Sequence, residues 1–571
     1  MTLDDGREGG RLMLLGKTIG SMGRARGRLA PLVLAGLTLV ALSSPARADD
    51  NIRPIDFTHN NTGAPAPVPG GVFGSGPALH PGTKICSTAT QNAANVNTDC
   101  DPGNGITGPH NETSIAVNPT NTQNIIGGLN DYQLGLNPGG QVSETVLSRA
   151  HVTFDGGHTW SEYPINANSA YQATGDPSVA FDATGHAYYA TLGFRFVGPF
   201  NATNPDVLVA NSGDGGKTWA STRIAAGSGV ETGVGDLLDK EYIAAWGKGN
   251  AIVTFGDFRL GVGGALVSAT IYSSVTHDFG RTWTQPQPIS GNLDQAFVSV
   301  PTVAADGKIY VSFLDTKFLD PSSPNFGRDV YEVVQVSPAT GARVAGPFNV
   351  AKVIDGFTDY PVALGRQTYQ DSLFRSWAAG NITADPTNAK HLAVVWSDMR
   401  NSPPPAPDLD PYKSATNSDV VVSESFDGGR TWSSPTAITL PNDQFMPWGA
   451  FDASGQLHIG FFDRQYDSAN HRYGYSLATE PAATGSTPAG TFSTTQVTTT
   501  LSQPTKNDRW FATTLNPAFP FATAFLGDYS NIAVVPNSTD VLSYWTDMRR
   551  TSCFAGRCGH SEDGFFARTG G

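Results

Sequence analysis

The chain has 571 residues, among them 64 glycines and 39 prolines, only 15% of them are charged, and its formal net charge is −14. An acidic balance of this kind excludes nucleic acid and anionic membrane surfaces as main partners. Long amphipathic stretches are absent, and short β-type runs punctuated by Gly, Asn, Asp and Pro predict an all-β protein.

The chain begins with a targeting pattern. Arg24, Arg26 and Arg28 precede an apolar run from Leu29 to Leu42 and an Ala-x-Ala site ending at Ala48. This predicts a signal peptide over residues 1–48, with Met22 as the expected start, and a secreted or periplasmic protein after cleavage. The apolar run is too short to span a bilayer comfortably, so no membrane insertion is expected, and the protein is expected to be a monomer. Residues 49–110 form an exported N-terminal segment, within which Ile52–His59 (IRPIDFTH) is the expected ring-closing strand. The four cysteines fall into two local pairs, Cys86 with Cys100 and Cys553 with Cys558, read as small-loop disulfides. A pairing that joins the two ends of the chain stays open, since four cysteines allow three connectivities.

From Asn111 onward the chain repeats itself. One frame, Ser/Thr-x-Asp-x-Gly-x-Thr-Trp, ends at Trp160, Trp219, Trp283 and Trp432. Its carboxylates are Asp155, Asp214, Asp278 and Asp427. In such a turn the Asp accepts backbone N–H bonds, the Gly takes a positive φ, and the Trp opens the next strand as a large apolar plate. All three roles are structural. Strand-like runs recur in phase with the frame: TSIAVNP, PSVAFDATGHAYYATL, YIAAWGKGNAIVTFGDFR, PTVAADGKIYVSFLDTK, NITADPTNAKHLAVVWSDMR, WGAFDASGQLHIGFFDR and SNIAVVPNSTDVLSYWTDMR. They predict a single β-propeller of four-stranded blades over residues 111–571. Seven blades are favoured and six are the alternative, with the last blade completed by an N-terminal strand.

The repeated frame resembles the Asp-box, or bacterial neuraminidase repeat, of the sialidase superfamily. The resemblance covers roughly Asn111 to the C-terminus and implies a propeller. It also implies a chemistry: three arginines grip the sugar carboxylate, a Tyr nucleophile is activated by a Glu, and an Asp serves as acid/base.

Propeller topology separates two faces. The Asp-frame turns and the short first-to-second-strand loops share one end. Long, unlike loops occupy the other, where binding and catalysis are expected. Candidates there fall into two sets. The first ends the second strands: Asp131, Arg259, Arg400 and Arg549 among them. Because such Asp–Arg pairs recur from blade to blade, ties between blades are the favoured reading for them. The second set sits where the innermost strands begin: Glu112, Asp176, Asp239 through Glu241, Arg375, and Asp528 with Tyr529. Carried over from the resemblance, Tyr529 is the candidate nucleophile, Glu112 or Glu241 its activator and Asp131 the acid. Arg259, Arg375, Arg400 and Arg549, with Asp176 and Asp528, are then candidate substrate-binding residues.

The Phe/Tyr-Arg-Ile-Pro segment of sialidases is absent; HNETSIAV stands in its place. Three functions therefore stay in play: a sialidase-like glycoside hydrolase acting on sialic acid or another acidic glycan, a non-catalytic propeller that binds glycan or protein, and a polysaccharide lyase. No Walker loop, dinucleotide fingerprint, nucleophile elbow or His-Glu-x-x-His motif occurs, so no cofactor is expected and no metal site is read. A structural calcium ion would fit the turn-rich sequence but has no placeable site.

Overall fold

The computed structural model describes residues 93–99, 107–136, 142–165, 170–195, 203–230, 234–262, 266–291, 295–317, 322, 328–354, 369–370, 374, 376, 378–403, 415–504, 526–554 and 557–570. The signal-peptide segment, Ile52–His59, Cys86, Cys100 and Arg375 lie outside them. Every regular element among the described residues is a strand, and no helix there is long and apolar enough to cross a membrane.

After a two-residue strand β1 (Val96–Asn97) the chain builds four-stranded antiparallel sheets in sequence. The first holds β2 (Thr107–Val117), β3 (Ile125–Leu136), β4 (Val142–Thr153) and β5 (Ser161–Pro164). The second holds β6 (Ala173–Phe181), β7 (Ala187–Phe194), β8 (Asp206–Ser212) and β9 (Ala220–Ala225). Next come β10 (Gly235–Trp246), β11 (Asn250–Leu260), β12 (Leu266–Thr276) and β13 (Gln287–Pro288), followed by β14 (Gln295–Val303), β15 (Ile309–Thr316), β16 (Asp329–Val336) and β17 (Arg343–Lys352). These two groups touch through one parallel pair, Ala269 with Gln295, and otherwise keep the same antiparallel order. Two further sheets follow: β18 (Asn381–Ala384), β19 (Leu392–Asp398), β20 (Asp419–Ser425) and β21 (Thr436–Ile438), then β22 (Gln444–Phe451), β23 (Leu457–Asp463), β24 (Gly474–Glu480) and β25 (Ser493–Gln496). The chain finishes with β26 (Asn531–Val534), β27 (Val541–Phe554) and β28 (Arg557–Thr569).

This last group is completed by β1, which pairs antiparallel to β28, Val96 opposite Phe566 and Asn97 opposite Phe565. The strand that supplies the fourth place is thus Val96–Asn97 rather than the expected Ile52–His59. Two residues carry no readable periodicity, whereas the apolar alternation around Ile52–His59 does.

Each sheet packs on the next through its own apolar cluster. Ile126, Val152, Val179, Tyr189 and Trp219 join the first two sheets. Tyr188, Leu192, Val207, Val253 and Phe255 join the second to the third. The last and first sheets share a cluster as well, made of Val96, Ile115, Leu129, Trp160, Leu542, Tyr544 and Phe566. There Trp160 lies parallel to Tyr544 with centroids 6.3 Å apart.

Two turns repeat. In the Asp frame, Asp427 Oδ1 accepts the Arg430 and Thr431 amides at 3.0 and 2.9 Å, while Ser425 Oγ and Thr431 Oγ1 donate to its two oxygens. Asp155 and Asp214 are held in the same way, and Asp278 accepts the Thr282 amide and hydroxyl. Gly157 sits at φ 107°, a conformation open to glycine, and an added Cβ would meet the Phe566 ring at 2.3 Å. The Trp indole closes the turn on a glycine carbonyl, Trp160 Nε1 to Gly157 O at 3.0 Å. A second device ends the innermost strands: Asn118, Asp182, Asp385 and Asp452 each accept the amide two residues on. These Asx turns fix the short first-to-second-strand loops.

Candidate functional site

The innermost strands share an irregularity. In β2, β6, β10, β14 and β22 the pairing register slips between Asn111 and Ser114, Gly175 and Ser178, Asp239 and Tyr242, Phe297 and Val300, and Phe445 and Trp448. At each bulge a non-glycine residue takes a positive φ: Glu112 at 56°, Asp176 at 59°, Lys240 at 54°, Val298 at 53° and Met446 at 49°. Such backbone costs about 1 kcal/mol or more per residue and re-aims the side chain. The same unusual conformation at five corresponding positions marks the centre of the molecule as a built feature.

Lys240 is the hub of that centre. Its Nζ lies 2.6 Å from Asp176 Oδ2, 2.6 Å from Asp528 Oδ2 and 3.3 Å from Glu112 Oε1, so residues of three sheets converge on one ammonium. Burial alone would lower the Lys240 ammonium, but Asp176, Asp528 and Glu112 together raise it well above its ordinary value. Asn130 on β3 braces the arrangement, donating to Glu112 Oε2 at 2.9 Å and accepting the Asp176 amide at 3.0 Å. Beside the hub, Glu241 is buried and neither of its carboxyl oxygens has a hydrogen-bond partner among the described residues. Burial, reinforced by the Asp176 charge, pushes its carboxyl well above the usual range.

Aromatic rings complete the site. Tyr242 stacks on Trp448 at 5.5 Å and meets Tyr529 edge-on at 5.5 Å, and Val298, Ala379 and Met446 line the same hollow as Lys240 and Asp528. The Tyr529 hydroxyl donates to Pro177 O at 3.0 Å, and burial together with the Glu112 charge raises its phenol well above the ordinary value. That is the opposite of what an activated Tyr nucleophile requires.

Of the residues the sequence singles out, Glu112, Asp176, Asp528, Tyr529 and Glu241 come together here. Asp131 does not. It lies in a separate buried group, 3.3 Å from His110 Nε2 and 3.5 Å from Arg149 Nε. The arginines are occupied in their own sheets. Arg400 chelates Asp398 through Nε and Nη2 at 2.9 and 2.8 Å, with Trp396 Nε1 on the same carboxylate, and it reaches the Lys352 carbonyl of the preceding sheet. Arg549 repeats the arrangement on Asp547, and its Nη1 and Nη2 reach Thr499, Thr498 and Asn95. Arg259 is largely exposed and pairs with Asp236 at 3.4 Å. Repeated Asp–Arg pairs thus tie neighbouring sheets together, as repeat geometry favours. Cys553 and Cys558 are cross-strand partners in the β27–β28 register, and their side chains lie outside the described residues.

Sequence reasoning placed Lys240 in the right stretch without giving it a role, and missed Tyr242 and Trp448. Aligning the innermost strands on Asn118, Asp182, Asp385 and Asp452 puts Glu112, Asp176, Ala379 and Met446 in one column, and Lys240, Val298 and Tyr529 stand at the same offset before Trp246, Ala304 and Val535, so that polar and apolar residues mix in it. That asymmetry is the signal that was available.

No protein-family model matches the chain, and no curated protein does. Among solved structures the chain is similar to a protein of unknown function from Dyadobacter fermentans DSM 18053, at 11% identity over 86% of this chain and 99% of that one, TM-score 0.41. It is also similar to the Hadza microbial sialidase Hz136 (13% identity, 62% of this chain, 63% of that one, TM-score 0.35). A third is an ulvan lyase of polysaccharide lyase family PL25 (11% identity, 65% and 78%, TM-score 0.38). At these values the site's own geometry has to decide what chemistry it can do.

Proposed function

We propose that the chain is an exported glycoside hydrolase, a seven-bladed propeller closed through β1, and that its substrate is a glycan without a carboxylate at the cleaved residue. The observation that carries this reading is the pairing of unlike carboxyls. Glu241 is buried, unpartnered and driven toward its protonated form, while the Asp176 carboxylate beside it rests on Lys240. A carboxyl that burial drives toward its protonated form can serve as the acid of a glycosidase, with a lysine-paired carboxylate as its partner. Glu241 holds the proton destined for the leaving glycosidic oxygen, and Asp176 faces the positive charge that develops at the anomeric carbon. Trp448, half-buried and backed by Tyr242, offers an aromatic ring for a sugar.

The charge balance argues against sialic acid. Among the described residues, Glu112, Asp176 and Asp528 gather on Lys240, and Arg259, Arg400 and Arg549 are each engaged by an aspartate, so these three guanidinium groups do not form a free set for an anionic sugar. A hydrolysis panel of neutral and acidic oligosaccharides tests the reading. Release of reducing sugar from neutral members, lost by about 10²–10⁴-fold in Glu241→Gln and Asp176→Asn, supports it. Turnover confined to sialosides would contradict it. Saturable glycan binding without product would leave the binding-protein reading, which the stacked Tyr242–Trp448 platform also fits. An unsaturated, ultraviolet-absorbing product would identify a lyase.

A further inference from the structure

A second buried polar cluster lies where β1, the first sheet and the last sheet meet. Asp99 follows β1, His110 stands on β2 and Asp563 on β28; one ligand atom from each lies within 4.8 Å of the others, and all three are buried. His110 is 2% exposed, yet neither ring nitrogen makes a hydrogen bond; Nδ1 faces Asp99 Oδ2 at 3.4 Å and Nε2 faces Asp131 Oδ1 at 3.3 Å without aligning. Asp99 Oδ1 likewise accepts no hydrogen bond, while Oδ2 takes the Gly564 amide at 2.9 Å. A buried imidazole and a buried carboxylate oxygen left in this way call for a partner.

We propose that Asp99, His110 and Asp563 bind a divalent first-row transition ion such as Zn²⁺, which clasps the N-terminal strand to the first and last sheets. One imidazole and two carboxylates form a borderline donor set for such an ion, and the chain's Asp131–His110 contact supplies what a metal-bound histidine ordinarily has. With Nδ1 turned to the ion, Nε2–H faces the Asp131 carboxylate, which Arg149 holds from its far side at 3.5 Å. Arg550 grips both oxygens of Asp563 at 2.8 Å, and a carboxylate retains lone pairs for an ion beyond such a fork. The role of Asp131 is then to orient His110.

Calorimetric titration of chelator-treated protein with ZnCl₂, MnCl₂ and CaCl₂ tests this. The expected result is one Zn²⁺ per chain, a rise in Tm on loading, affinity at least tenfold lower in Asp99→Asn, and affinity lowered about 10–100-fold in Asp131→Asn, which retains all three ligands. X-ray absorption of the zinc-loaded wild type, which no folding defect can confuse, should show one imidazole and a nitrogen/oxygen shell near about 2.0–2.2 Å. No saturable zinc or manganese binding, tighter binding of calcium than of zinc, sulfur in the first shell, or affinity unchanged in Asp99→Asn and His110→Gln would overturn the assignment.

Discussion

Tyr242 of β10 and Trp448 of β22 stack with ring centroids 5.5 Å apart and planes 29° from parallel, although two complete four-stranded groups separate them in the chain. The contact forms because the bulged innermost strands present their side chains to a shared centre. Trp448→Ala should weaken binding of a neutral oligosaccharide by about tenfold, the loss of one stacking face, while Trp448→Phe retains most of it. Isothermal titration of both variants checks this; equal affinity in wild type and Trp448→Ala would remove the ring from the site.

Among the described residues, Lys240 is the cation that Glu112, Asp176 and Asp528 share. Lys240→Met therefore removes the countercharge these three buried carboxylates share, and a loss of about 3–5 kcal/mol is expected in urea unfolding. Adding Asp176→Asn to Lys240→Met should recover part of that loss, because it removes one of the uncompensated charges. A double variant no more stable than the single one would show that the ammonium is not balancing the cluster.

The Asp-frame carboxylates serve stability alone. Asp427 collects two amides and two hydroxyls, so Asp427→Ala should cost about 1–3 kcal/mol and leave kcat on any substrate unchanged. Hydrogen bonds from Thr159, Thr218, Thr282 and Thr431 outweigh partial burial and hold Asp155, Asp214, Asp278 and Asp427 below the usual carboxylate range. Their contribution is present above about pH 4 and is lost as the pH falls through the depressed folded values. Acid unfolding followed by intrinsic fluorescence should begin in that window and begin at higher pH in Asp427→Ala.

His391 gives the opposite sign. Its Nδ1 meets Asp385 at 2.8 Å and its Nε2 meets Glu424 at 2.7 Å. Burial opposes its charge, but the two carboxylates outweigh burial and raise it to about 9. A raised folded value means that the stabilisation is full below the unfolded value near 6.5 and is lost as the pH rises toward 9. Glu480, raised to about 7 by burial and by the Glu424 charge, loses its own contribution earlier in the same direction, between about 4.5 and 7. Wild type should lose about 1–2 kcal/mol more than His391→Gln between pH 6.5 and 9 in denaturant titrations.

Much of the fold is written locally and so was legible. A turn such as SFDGGRTW needs its glycine, its carboxylate and its indole at fixed offsets, and each four-residue Asx turn needs its Asn or Asp. The bulges were not legible, because Glu112-Thr113, Asp176-Pro177 and Lys240-Glu241 share no local chemistry and become equivalent only through sheet pairing. The motif Trp-x-Asp-Met-Arg shows the limit most clearly. Its arginines suit a sugar carboxylate as well as they suit an aspartate, and what decides is that Arg400 and Asp398, two residues apart, close on each other at 2.8 Å. The histidine cluster was hidden for a related reason: Asp99, His110 and Asp563 meet only once the first and last sheets share Trp160, Tyr544 and Phe566.

A crystal soaked with an iminosugar that lacks a carboxylate tests the account most directly, because the cationic ring nitrogen reports which carboxylate faces the anomeric centre. The account predicts the sugar ring against Trp448, with its nitrogen within hydrogen-bond reach of Asp176 and Glu241 on the leaving-group side. A sugar held instead at the Asp-frame end of the sheets, or by Arg400 and Arg549 with the Lys240 centre untouched, would contradict it.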